Sequence, residues 1–89
     1  MFDKIKQMME MRQEAAKLQT MLEAERIEHM GAHGKIKVVM NGKNEIIELT
    51  VHPDLMSDKT YLERLIKDTV NDAIKTVHKQ MAKKMAQFM

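Results

Sequence analysis

Apolar residues change their spacing twice along this chain, and few folds accommodate that order. Met8, Met11, Ala15, Leu18 and Leu22 recur at alternating intervals of three and four, the stripe of one helix face. Between Gly34 and Pro53 the interval becomes two. Ile36, Val38 and Met40 alternate with Lys35, Lys37 and Val39, and Ile47, Leu49 and Val51 alternate with Ile46, Glu48 and Thr50, as on a strand with one covered face. Helical spacing then returns through Leu62, Leu65, Ile66, Thr69, Val70, Ala73, Val77, Met81, Met85 and Phe88. The reading is α+β: two long terminal helices flanking a small antiparallel unit. An isolated hairpin is marginal in water, so the helices must pack on it.

Punctuation residues set the boundaries. Phe2 to Ala24 contains no Gly or Pro and is rich in Glu, Gln, Lys, Met and Ala, all good helix formers. Glu25 and His29 fall on the next stripe positions, so the helix is expected to end between Ala24 and Met30. Gly31 and Gly34 bracket a turn, Asn41-Gly42 reads as a tight hairpin turn, and Pro53 closes the second strand because it lacks a ladder donor. Ser57 and Asp58 offer N-cap oxygens for the last helix. From Asp58 to Phe88 that helix would be about 46 Å long, whereas a compact chain of this size has a radius of gyration of roughly 12 Å. Its end therefore frays, protrudes or packs on another subunit. The 89 residues form one domain, 1–89, near the size at which a lone core becomes marginal. A homodimer is expected, with Ile66, Val70 and Val77 as interface candidates.

Charge is unevenly placed. The net charge is only +2, yet all 13 acidic residues precede Ala73, and residues 73–89 carry four lysines. Lys75, Lys79 and Lys83 lie four apart on one helix face, joined by His78 and, further back, by Arg64 and Asn71. Such a row suits a polyanion as well as it suits an ordinary solvated face. Lys84 tilts the balance, because it falls where apolar residues ought to continue and suggests that the final turns leave the core.

Other functions find little support in the residues. With no cysteine there is neither a disulfide framework nor a thiolate metal site, which suits the reducing cytoplasm. No window approaches the run of about 18 apolar residues that a membrane span needs, so a soluble protein is expected. His29 and His33 are four apart but separated by Gly31 and lack a third ligand, so no metal is expected. No phosphate loop or nucleophile signature occurs. Neither an enzyme, a cofactor nor a small-molecule substrate is indicated. Aromatics are 3% of residues, too few for base-stacking platforms, which argues against an RNA-binding accessory factor. A Met-rich first helix, with Met8, Met9, Met11 and Met21, leaves open a protein-interaction module that docks on partner proteins.

The run Lys37-Val38-Val39-Met40-Asn41-Gly42, the strand ending in Val51-His52-Pro53-Asp54-Leu55, and the late Asn71-Asp72-Ala73 closely resemble the YbaB/EbfC family of bacterial nucleoid-associated proteins, over essentially the full chain. His52 departs from the Asp that is common before this proline. The resemblance implies an α-β-β-β-α protomer in which Glu25 to Ala32 contains a first, short strand, and a tweezer-like homodimer that binds double-stranded DNA in the cytoplasmic nucleoid. It places DNA contacts on the terminal helices, hence on Lys75, Lys79, Lys83 and Lys84, with Arg12 and Lys17 on the first helix. A nearly all-lysine face favours phosphate contacts, coating or bridging duplex without sequence readout.

Overall fold

The computed structural model describes residues 2–87. A helix α1 (Phe2–Ala24) leads into strand β1 (Ile27–Gly31), a 3-10 turn (Ala32–Gly34), β2 (Ile36–Met40), β3 (Ile46–Val51), a second 3-10 turn (Pro53–Ser57) and helix α2 (Lys59–Gln87). The three strands form one antiparallel sheet in the order β1-β2-β3. Phe88, assigned by its spacing to the apolar side of α2, lies outside the described residues.

The core sits where α2 crosses β1 and β2. Ile36, Val38 and Met40 point to one face of β2, as their alternation requires, and are at most 1% exposed beneath Ala73 and Val77 of α2. Each large side chain so buried contributes about 1.5–3 kcal/mol. Close approach depends on Gly31 in β1. A Cβ there would lie 2.2 Å from Thr69 Oγ1, so any side chain would push α2 off the sheet. The helix covers only part of the sheet. Leu49 in β3 is the direct partner of Val38 and shares its face, yet it is 44% exposed while Val38 is fully buried.

Local chemistry explains the ends of the elements. Arg26 Nη1 donates to the carbonyls of Glu23 and Glu25 at 2.9 and 2.8 Å, satisfying oxygens that the end of α1 leaves without helical partners. Asp58 caps α2, its Oδ1 accepting from the Tyr61 amide at 3.0 Å. β1 follows the expectation that rested on resemblance; its residues alone did not suggest a strand. Its inward positions are Ile27, His29 and Gly31, too mixed to show an apolar alternation.

One expectation is corrected. The hairpin turn is longer than the dipeptide Asn41-Gly42: the Asn41 amide donates to the Glu45 carbonyl at 3.1 Å, the Asn44 amide donates to the Asn41 carbonyl at 3.3 Å, and Asn44 takes the left-handed conformation with φ 63°. This is the pattern of a three-residue loop with a bulge. The final turns of α2 leave the core as expected, with no described residue beyond Val77 buried, yet they keep an apolar neighbour. Met81 and Met85 face Leu18, Met21 and Leu22 of α1, so α1 takes over where the sheet ends. The molecule measures 66 × 20 × 16 Å with a radius of gyration of 18.3 Å, well above the roughly 12 Å of a compact chain this long.

Candidate nucleic-acid interface

The geometry of α2 sorts its charges. Ala73 and Val77 face the sheet; at 100° per residue, Lys75 and Lys79 lie about 200° further round, on the opposite side. Lys75, Lys79 and Lys83 are all exposed. None of the three makes an ion pair among the described residues. Like charges four residues apart on a helix repel by a few tenths of a kcal/mol per pair. A row of them is thus a small standing cost to the fold and a concentrated positive field outside it.

The other candidates are placed differently. Lys84 forms an ion pair with Glu25 at the end of α1, so its charge is largely cancelled and the residue ties the two helices together. The final turns that carry Lys84 do leave the core, since no described residue beyond Val77 is buried, but Lys84 itself is engaged by α1. Arg12 and Lys17 are exposed on α1, which also carries Asp3, Glu10 and Glu14. Lys17 stands beside Ala16, Thr20 and Met21 along an open apolar hollow. Arg64 lies over the Tyr61 ring at 5.6 Å, near the start of α2 and about three turns from Lys75, the nearest of the lysine row. His78 is drawn toward the β2–β3 turn, its Nε2 3.3 Å from Asn44 Nδ2.

Among the interface candidates, Val77 is 1% exposed within the protomer. Its surface is spent on its own sheet. Ile66 and Val70 are half-buried at the margin of the core. The largest uncovered apolar surface on the sheet is on β3, where Ile46 and Ile47 are each 47% exposed beside Leu49. Their alternation was visible in the sequence; what could not be seen was that α2 stops short of this strand.

Sequence reasoning also missed the ties between distant elements. Lys43 Nζ lies 3.0 Å from Glu23 Oε1; this hydrogen bond, and then the carboxylate's charge, hold the Lys43 ammonium above its ordinary pKa of 10.5. The partners are separated by 20 positions, and Lys84 and Glu25 by 59, so no local pattern announces either pair. His29 sits on β1 with Nδ1 3.3 Å from Thr76 Oγ1, and His33 occupies a turn with φ 56°. They do not share a helix face. Among the described residues, no helix is long and apolar enough to cross a membrane.

Comparison with known proteins places this geometry in context. The sequence profile of the YbaB/EbfC DNA-binding family matches residues 1–89. A nucleoid-associated protein of Thermoanaerobacter pseudethanolicus is 32% identical, with 94% of this chain and 78% of the relative covered. Another, of Nitratiruptor, is 33% identical over all of this chain and 92% of the relative. The crystal structure of an uncharacterized Helicobacter pylori protein shares the fold, with a TM-score of 0.79 at 19% identity over 99% of this chain and 96% of that one.

Proposed function

Since this chain belongs to the YbaB/EbfC DNA-binding family, we propose that it acts as a nucleoid-associated protein, a homodimer that coats or bridges duplex DNA by neutralising phosphates. The observation that carries this reading is the row Lys75, Lys79 and Lys83, exposed and free of ion pairs among the described residues, on a helix stretch without acidic residues. Lysine is a point charge without the planar fork of arginine, so the row suits phosphate contact more than base readout. The relatives described as nucleoid-associated proteins support the cellular setting.

The second copy is supported by β3. It is an edge strand with apolar residues on its surface, an arrangement that otherwise invites uncontrolled pairing. Covering Leu49, Ile46 and Ile47 with the same strand of another protomer would remove that liability.

Mobility shifts on random-sequence duplex across a salt series test the proposal. Log affinity should fall linearly with log salt, with a slope of about −0.9 per phosphate neutralised, and single-stranded RNA should compete weakly. A flat salt response would overturn the phosphate mechanism. A second reading, docking on partner proteins, is favoured by Ile5, Met8, Met9 and Met11, which are 57–68% exposed on α1. It predicts no retention of plain duplex at all.

A further inference from the structure

We propose that the β2–β3 turn, residues 41–45, is a clasp that sets the direction of α1 and of the outer half of α2 relative to the sheet. Through that direction it sets how the α2 lysines meet DNA, and only this second step rests on the DNA-binding reading above.

The turn is rigid from within. Asn41 is a polar residue only 2% exposed. Its Oδ1 accepts from the amides of Lys43 and Glu45 at 2.9 and 3.1 Å, while its Nδ2 donates to Glu45 Oε1 at 2.9 Å. A buried amide satisfied on both sides holds a unique conformation, because any other leaves polar atoms unpaired. This knot reaches out to both helices. Toward α1, the Gly42 amide donates to the Leu22 carbonyl at 2.8 Å and Lys43 pairs with Glu23. Toward α2, Asn44 meets His78, and a Cβ at Gly42 would stand 2.8 Å from Met81 Sδ.

These ties matter because α1 has little else to hold it. None of its described residues is buried. Its other attachments are the short link to β1, the thioether and leucine contacts with Met81 and Met85, and the Lys84–Glu25 pair. Gly42 therefore has a role beyond shaping a turn. Its φ is not left-handed, so an L residue fits the local backbone; what a Cβ would meet is the helices, the movable ends of Met81 and Leu22 at 2.8 and 2.9 Å and the backbone Cα of Leu22 at 3.1 Å, which must give by a few tenths of an ångström.

Gly42→Ala is accordingly a selective probe: it changes no charge, leaves the turn conformation accessible, and wedges the two helices away from the turn. Relief of about 0.4 Å at Leu22, roughly 3 Å from the end of α1, is levered about fivefold at Gln13, roughly 16.5 Å from it. The protein has no cysteine, so nitroxides can be placed on Gln13→Cys in α1 and Lys67→Cys in α2, both exposed positions. The labelled protein is diluted with unlabelled protein and the distance distribution is recorded.

Gly42→Ala is expected to shift the mean distance by about 2 Å, and Glu23→Gln to broaden the distribution. On duplex DNA, Gly42→Ala should bind more weakly, with a salt slope shallower by about 0.9 for each phosphate the lysines no longer reach. Glu23→Gln separates the clasp from simple electrostatics. Deleting an acid strengthens binding to a polyanion on charge grounds alone, whereas a loosened clasp broadens the distances whatever the DNA does. Distances unchanged in both variants would overturn the clasp. A shifted distance with unchanged DNA affinity and slope would overturn the link to binding. A parent protein that fails to bind DNA would sink the DNA reading, leaving the clasp to be judged on the distances alone.

Discussion

α2 is one uninterrupted helix, yet its two halves obey different constraints. From Thr69 to Val77 every turn puts a buried residue against the sheet, and at Gly31 even a methyl group is excluded. Beyond Val77 no described residue is buried, and the helix is accompanied by α1 through flexible methionine contacts and an ion pair. The sheet-facing side of the inner half is packed tightly enough that almost any change there is a stability change. The outer half is loosely held, so its residues are available for charge. A small domain with one modest core cannot spare core positions for binding, and in the proposed reading the two tasks fall to different parts of a single helix, the sheet-facing side of its inner half and the exposed lysines from Lys75 outward.

That division can be broken first by stability. Ile36→Ala should lower the unfolding free energy by about 3 kcal/mol in urea titrations, while Met8→Ala on the exposed part of α1 should change it by less than about 0.5 kcal/mol. Comparable losses from both would mean that α1 is as firmly packed as the core. Next in size is Leu49→Asp, which sits half-exposed in the protomer but would place an unpaired charge in the proposed β3 contact. Sedimentation equilibrium should report a folded monomer; a dimer surviving the substitution would locate the second copy elsewhere.

The exposed lysines can then be tested for binding alone. Replacing Lys75, Lys79 and Lys83 with Gln keeps helix propensity, so stability should stay within about 0.5 kcal/mol, while the salt slope on duplex DNA flattens by about 0.9 for every phosphate left without its lysine. Arg12→Gln with Lys17→Gln should do less, because acids share their helix. The opposite ranking in matched mobility-shift titrations would move the interface to α1. The smallest effect belongs to the clasp. Since Lys43 is raised above its ordinary pKa by Glu23, its contribution to stability is fully present below pH 10.5 and is lost as pH rises through the raised value. Alkaline titration of stability should show a shallow decline there that Glu23→Gln removes.

Much of this protein was legible in its residues. The Gly- and Pro-free stretches yielded α1 and α2; α1 ends at Ala24, the near edge of the expected Ala24 to Met30 window, and Asp58, one of two candidate caps, caps α2. Alternation yielded β2 and β3 with Ile36, Val38 and Met40 inward. β1 was not legible from periodicity, because a half-covered edge strand containing His29 and Gly31 has no apolar rhythm to show. The exposed row of Lys75, Lys79 and Lys83 followed directly from spacing four residues apart.

What spacing determines is which side of an element is apolar and which is charged, since that depends only on the 3.6- and 2-residue repeats. Tertiary structure alone decided what covers each side. It buried Val77 within the protomer, left Leu49 uncovered opposite a buried Val38, and made Gly42 a point of contact instead of a turn residue with special φ. It also cancelled Lys84 against Glu25 while leaving Lys83, its neighbour in sequence, without an ion pair among the described residues. The physical reason is range. A periodic pattern is read within a few residues, but whether a charge is spent or a surface is free depends on contacts between segments that lie tens of positions apart.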